Sequence, residues 1–167
     1  MILVTLGTQK FKMNRLIEAI DEYAKTIEEE VFVQRGNSTY TPLYCKYENF
    51  VEREQFTKMI QNCSVLITHS GVGSIMTGLN ANRPVIVVPR LAKFKEHVDD
   101  HQTQIAAAFS KKNCVLYCKD LKELPQLIDK SRTYKFSPYE AKGGKIEDII
   151  LDFISVSKSP TSMSGGE

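Results

Sequence analysis

The feature that most constrains this chain is a central segment in which two short apolar runs flank a glycine-rich turn and a short helix. Val65-Leu66-Ile67-Thr68 reads as a buried strand, His69-Ser70-Gly71-Val72-Gly73-Ser74 as a loop, Ile75 to Ala81 as a helix and Pro84 to Val88 as the next strand. A strand, helix, strand succession of this length implies parallel pairing, because parallel neighbours need a crossover that antiparallel ones do not. The same alternation continues on both sides. Ile2-Leu3-Val4-Thr5-Leu6 is a strand that stops at Gly7-Thr8. Met13, Leu16, Ile17, Ile20 and Ala24 then recur at helical spacing, with Glu18, Asp21, Glu22 and Lys25 on the other face.

Val31-Phe32-Val33 is a further strand, Gly36 to Pro42 is rich in turn residues, Tyr44 to Tyr47 reads as a strand, and Phe56, Met59 and Ile60 mark a helix. Beyond the centre, Asp99 to Lys112 reads as a helix, Cys114 to Tyr117 as a strand and Leu121 to Lys130 as a helix. Ile146, Ile149, Ile150, Phe153 and Ile154 line one face of a last helix. The expected fold class is therefore α/β, a Rossmann-like parallel sheet with helices on both faces. With 167 residues, 42% of them hydrophobic, the chain has room for one such domain, expected over residues 1–157. From Ser155 the composition turns to Ser, Lys, Pro and Gly, so residues 158–167 read as a disordered tail.

Composition removes several classes of function. The balance of 22 Lys and Arg against 20 Asp and Glu gives a net charge of +2, too little for nucleic-acid binding by bulk charge. The longest apolar stretch, Val85 to Pro89, falls far short of the roughly 20 residues that span a bilayer. Met1 leads directly into a strand rather than a basic and then apolar leader, so the chain reads as soluble and cytoplasmic. The four cysteines, Cys45, Cys63, Cys114 and Cys118, form no CxxC pair and have no histidine at ligand spacing, so no metal site is expected.

In doubly wound sheets ligands bind beyond the carboxyl ends of the strands. Glycine and polar residues stand there in three places: Gly7-Thr8-Gln9, the His69 to Ser74 loop, and the segment from Pro89 to His101. Gly71 and Gly73 either ease a turn or let a ligand approach the backbone, in which case amides near Ser74 would cradle an anion such as a diphosphate. The loop has neither the third glycine of GxGxxG nor the lysine of a Walker motif, which disfavours NAD and P-loop chemistry. His69 is either a structural hydrogen bonder or, beside the cradle, a catalytic group. Asp99 and Asp100 can cap a helix while His101 and Gln102 project toward the cleft. Arg90, Lys93 and Lys95 add positive charge after another strand.

Four segments together carry a family resemblance: Val4-Thr5-Leu6-Gly7-Thr8, Thr68 to Ile75, Arg83 to Arg90, and Glu96 to Gln102. In order and spacing they resemble the C-terminal, nucleotide-sugar-binding half of GT-B glycosyltransferases of family 28. The likeness extends to two-chain members that act in dolichol-linked oligosaccharide synthesis and in bacterial capsule and exopolysaccharide synthesis. It implies a UDP-sugar site, with Gly71, Val72, Gly73 and Ser74 at the diphosphate, His101 and Gln102 near the diphosphate or sugar, Gly7 and Thr8 lining the cleft, and His69, Ser70 and Thr77 among the binding residues. Many relatives carry an acidic residue, suited to the ribose hydroxyls, where this chain has Thr77.

The resemblance further implies inverting transfer of a hexose without a metal or other cofactor, onto a lipid-diphosphate-linked sugar. A membrane-anchored partner would supply the acceptor domain and hold this chain at the cytoplasmic face. The general base is not identifiable in the sequence, and His69 is the one weak candidate. The Arg83 to Arg90 and Glu96 to Gln102 segments lean toward the polysaccharide enzymes and toward galactose or glucose over N-acetylglucosamine. The last helix either docks the partner or packs on its own sheet. Two other readings share these features: a nucleotide-sugar-binding accessory protein without catalytic role, and half of a UDP-sugar epimerase.

Overall fold

Strand β1 (Ile2–Thr5) is buried at every residue and pairs in parallel with two neighbours, β2 (Val31–Gln34) and β4 (Val65–Thr68). In the computed structural model, which describes residues 1–139, it lies inside a six-stranded parallel sheet of order β3-β2-β1-β4-β5-β6. The remaining strands are β3 (Lys46–Glu48), β5 (Val85–Val87) and β6 (Leu116–Tyr117). Between them run α1 (Asn14–Ala24), α2 (Arg53–Asn62), α3 (Val72–Asn80) and α4 (His101–Lys111), and α5 (Leu124–Ser131) follows β6.

Side-chain alternation along the strands builds two cores. Ile2, Val4, Val33, Ile67 and Ile86 face α1 and α5, where they meet Leu16, Ile17, Ile20, Leu124 and Ile128. Leu3, Phe32, Leu66, Val85 and Val87 face the other way onto Ile60, Ile75, Ile105 and Phe109 of α2, α3 and α4. Strands covered on both faces must be apolar throughout, which explains the unbroken runs in the sequence. The sheet order reverses at β1: the chain moves outward to β2 and β3, then returns to place β4 on the other side. The loops after β1 and β4 therefore diverge and leave a crevice at the carboxyl edge.

Several boundaries differ from the sequence expectation, each for a local reason. Helix α3 begins at Val72 rather than Ile75, so Val72, Gly73 and Ser74 form its first turn instead of a loop. The strand expected at Tyr44 to Tyr47 is displaced to Lys46–Glu48. There the buried Asp21 carboxylate accepts the backbone N–H groups of Leu43, Tyr44 and Cys45 and withdraws them from the ladder. Helix α4 starts at His101 rather than Asp99, because Asp99 accepts the His101 N–H at 3.0 Å from outside the helix. The strand expected from Cys114 shortens to Leu116–Tyr117, and the helix expected from Leu121 divides into a 3-10 turn at Leu121–Glu123 and α5.

All four cysteines are free and buried. Among the described residues no helix is long and apolar enough to cross a membrane, and no three His, Cys, Asp or Glu side chains are grouped to hold a metal ion. The last helix and the tail read from the sequence, with the domain boundary between them, lie outside the described residues.

Candidate functional site

The crevice is built on one imidazole. Gly7 follows β1 in the left-handed region at φ 69, and a Cβ there would stand 2.5 Å from His69 Nε2. Gly71, extended and just before α3, would place a Cβ 2.3 Å from His69 Cε1. His69 thus lies between two backbones that only glycine allows to come so close. Gly71 N–H donates to Nδ1 at 3.0 Å, Gln102 Nε2 lies 3.3 Å from the same nitrogen, and Ser74 Oγ lies 3.4 Å from Nε2. Burial and then the Arg90 charge push the His69 pKa down to about 4, so the ring is neutral at physiological pH.

Above this floor the first turn of α3 opens outward. The first bond within the helix runs from Ile75 N–H to the Gly71 carbonyl, so the N–H groups of Val72, Gly73 and Ser74 have no acceptor within the helix. A Cβ on Gly73 would meet nothing within 4 Å. Thr77, one turn on, donates its hydroxyl to the Gly73 carbonyl at 2.7 Å. These groups line a cleft of about 470 Å³ that gathers Gly7, Thr8, His69, Gly71, Gly73, Ser74 and Thr77.

Four residues expected at the site are not in its lining: Ser70, Val72, His101 and Gln102. Ser70 and Gln102 are buried behind it, and His101 is exposed on α4. The cleft also holds residues the motifs did not suggest. Gln34, at the end of β2, donates to Thr5 Oγ1 at 3.1 Å and accepts Val51 N–H at 3.2 Å, tying two strand ends to the loop before α2. Arg53, at the start of α2, is the single charged residue of the lining. No motif marks these positions; only the parallel topology, which brings the ends of β2 and β3 to the same edge, shows that they belong here.

Of the three cations after β5, Arg90 is an interior brace. It is 1% exposed and donates to the carbonyls of Leu6 at 2.6 Å, Phe11 at 2.9 Å and Glu96 at 3.3 Å. Beside it, Arg15 grips the buried Glu96 carboxylate through Nε at 2.8 Å and a terminal nitrogen at 2.9 Å. The loop after β1 is thereby fixed against the loop after β5, which sets the position of Gly7. Lys93 and Lys95 remain exposed. A larger hollow of about 630 Å³, lined by Lys10, Phe11, Arg15 and Phe94, lies beside this brace. It contains no glycine, and its Arg15 and Glu96 are already paired with each other, so its volume does not make it the better candidate.

Comparison with known proteins places the chain in a family. The model of the glycosyltransferase family 28 C-terminal domain matches residues 1–153. The chain belongs to that family. It is 34% identical over 112 residues to the UDP-N-acetylglucosamine transferase subunit ALG13 of Candida albicans, covering 66% of this chain and 35% of that protein. A second relative is the UDP-N-acetylglucosamine--N-acetylmuramyl-(pentapeptide) pyrophosphoryl-undecaprenol N-acetylglucosamine transferase of Prochlorococcus marinus. It is 24% identical over 159 residues, which cover 92% of this chain and 42% of the relative. The chain thus spans well under half of either relative's length.

Among solved structures, the glycosyltransferase of kitacinnamycin superposes with a TM-score of 0.61 at 18% identity, over 79% of this chain and 34% of that one. The solution structure of ALG13 gives a TM-score of 0.55 at 17% identity, over 94% and 95% of the two chains. The fold of this family 28 domain is thus the doubly wound sheet of one half of a GT-B glycosyltransferase. The sequence lean toward capsule and exopolysaccharide enzymes is not what these matches carry: the curated relatives are named for N-acetylglucosamine transfer.

Proposed function

We propose that this family 28 domain binds a UDP-sugar in the 470 Å³ cleft, with the diphosphate at the start of α3. The observation that carries the reading is the juxtaposition at Gly73: unpaired helix-start amides, a face with nothing within 4 Å, and a lining whose sole charged side chain is the cation Arg53. Such a place suits a group of negative charge and little else. Thr8 from the β1 loop and Ser74 from α3 add hydroxyl donors on either side. Thr77 has its hydrogen committed to the Gly73 carbonyl, so toward a ribose hydroxyl it offers an acceptor oxygen in place of the acidic side chain of many relatives.

The chemistry follows from charge. When the bond between the anomeric carbon and the diphosphate breaks, negative charge grows on the leaving oxygen. The amides of Gly73 and Ser74 are already oriented to receive it, so this stabilisation requires no metal and no reorganisation. An acceptor hydroxyl attacking from the opposite face in one displacement gives inversion, its proton passing to a base supplied with the acceptor site. We propose N-acetylglucosamine as the transferred hexose, supported by the activities for which the relatives are named, with galactose and glucose as the alternatives to be tested. A lipid-diphosphate-linked sugar is the proposed acceptor. The relative in Candida albicans is named a subunit, and by extension a membrane-anchored partner supplies the acceptor site and recruits this chain to the cytoplasmic face.

Calorimetric titration in the presence of EDTA tests the donor reading. UDP-N-acetylglucosamine is expected to bind more tightly than UDP-galactose or UDP-glucose, and NAD not at all. Binding that appears only on adding magnesium would overturn the metal-free mechanism, and binding of NAD in preference to every UDP-sugar would overturn the site assignment.

A further inference from the structure

Beneath the cleft the carboxamide of Gln102 faces the imidazole of His69, and each of the two side chains also accepts a backbone N–H. Arg90 N–H donates to Gln102 Oε1 at 3.0 Å, and Gly71 N–H donates to His69 Nδ1 at 3.0 Å. A backbone amide can only donate. Arg90 therefore demands the oxygen of the carboxamide and leaves its NH2 group toward His69, where Nε2 lies 3.3 Å from Nδ1. Gly71 independently demands a lone pair on that same Nδ1. The two constraints agree, and the neutral ring must then carry its hydrogen on Nε2, 3.4 Å from Ser74 Oγ.

The position of Gln102 in α4 makes this arrangement costly to build. Gln102, Ile105, Ala106 and Phe109 form the buried stripe of the helix, and Gln102 is only 4% exposed. A glutamine on a core stripe is tolerated when both polar ends are satisfied, and here both partners are protein groups of the site floor. The carboxamide oxygen and one of its N–H groups are thus engaged by protein.

We propose that Gln102 is a positioning residue that acts through His69: it holds the ring in the Nε2–H tautomer, so that Ser74, accepting from His69, presents its own hydroxyl hydrogen to an anionic oxygen at the start of α3. The identity of that anion rests on the donor-site reading above. His69 held in this way is a fixed donor and not a general base, since Nε2 already carries its hydrogen and Nδ1 is covered by two N–H donors. The charged groups near the ring favour its neutral form. Arg90 and His97 oppose a second proton, Glu96 is committed to Arg15, Gln102 is neutral, and Gly7, Gly71 and Ser74 bring no charge from the β1 loop and α3.

Long-range proton–nitrogen NMR of the histidine side chains of the full chain tests this, with His69→Gln identifying the His69 signals. In the wild type Nε2 is expected to be protonated and Nδ1 bare, with no titration between about pH 5.5 and 8. In Gln102→Glu the carboxylate can only accept, so Nδ1 is expected to gain a proton or the ring to titrate inside that range. Gln102→Met, which removes the amide, is expected to bind UDP-N-acetylglucosamine roughly three- to tenfold more weakly, the effect of one misdirected hydrogen bond.

A wild-type ring protonated on Nδ1 overturns the proposal. So does a Gln102→Glu spectrum like the wild type, or undiminished binding by Gln102→Met. The wild-type spectrum and the methionine variant decide the matter even where the glutamate variant does not fold. The expected wild-type spectrum in a protein that binds no UDP-sugar would uphold the tautomer and overturn the donor-site reading instead.

Discussion

Gly71 and Gly73 stand two residues apart on the same turn, and their surroundings differ completely. A Cβ on Gly71 would press to 2.3 Å from the His69 ring, whereas one on Gly73 would meet no atom within 4 Å. The first glycine is required by what the chain packs beneath it. The second has no reason within the described residues, and the space it leaves open is where the unpaired amides of α3 point. The floor of the cleft, comprising Gly7, His69, Gly71, Gln102 and Arg90, is held together by contacts and hydrogen bonds within the protein. The rim, comprising Gly73, Ser74, Thr77 and Arg53, is unfinished. Substitutions in the floor should therefore be read chiefly in stability, with Gln102 reaching the ligand only through His69 and Ser74, and substitutions in the rim in binding.

The largest effect is expected at Arg90. Replacing it with leucine leaves the carbonyls of Leu6, Phe11 and Glu96 buried without their donor, and urea denaturation should show a loss of about 3–5 kcal/mol. A loss below about 1 kcal/mol would mean that the loop after β1 does not depend on this brace.

Acid comes next. The folded pKa of His69, about 4, lies below its ordinary value of 6.5, so between these values the unfolded chain takes up a proton that the folded chain refuses. Its contribution is complete above pH 6.5 and is lost as pH falls through 4, a difference of roughly 3 kcal/mol. Asp21 and Glu29, whose carboxyls are hydrogen-bonded and sit below their ordinary range, lose stability in the same direction at lower pH. His69→Gln separates the contributions: chemical denaturation at a series of pH values should show a flatter curve between pH 6.5 and 4 in that variant than in the wild type.

Gly71→Ala should cost about 2 kcal/mol, and most of this should vanish in a background already carrying His69→Ala, because the clash is with that ring. Additive losses in the double variant would show that the glycine serves the backbone rather than the contact. The smallest change in stability belongs to Gly73→Ala. It should stabilise the fold by about 0.5 kcal/mol, since alanine favours helix, while weakening UDP-sugar binding tenfold or more. A destabilised Gly73→Ala, or one that binds normally, would erase the distinction between floor and rim.

Much of the fold is legible in the sequence because buried parallel strands must be apolar throughout: Ile2 to Thr5, Val31 to Val33 and Val65 to Thr68 announce themselves. The glycine loop is legible for the same kind of reason, since few roles need two glycines at a strand end. What escapes is set by single polar side chains with long reach. Asp21 shifts β3 by capturing three amides, and Arg90, grouped in the sequence with Lys93 and Lys95, is the one that carbonyls enclose. The 102, 105, 106, 109 stripe of α4 turns Gln102 inward and its neighbour His101 outward, which the two polar residues alone do not announce. Gln34 and Arg53 enter the cleft through sheet topology alone, which no local pattern encodes.

The most direct test of the central claim is an amide NMR titration of the wild-type chain with UDP-N-acetylglucosamine in the presence of EDTA. The donor-site account predicts the largest shifts at Gly73 and Ser74, with smaller ones at Gly7 and Thr8, saturating at one equivalent. Shifts confined to the Lys10 to Arg15 and Phe94 to Glu96 hollow, or none at saturating ligand, would contradict it.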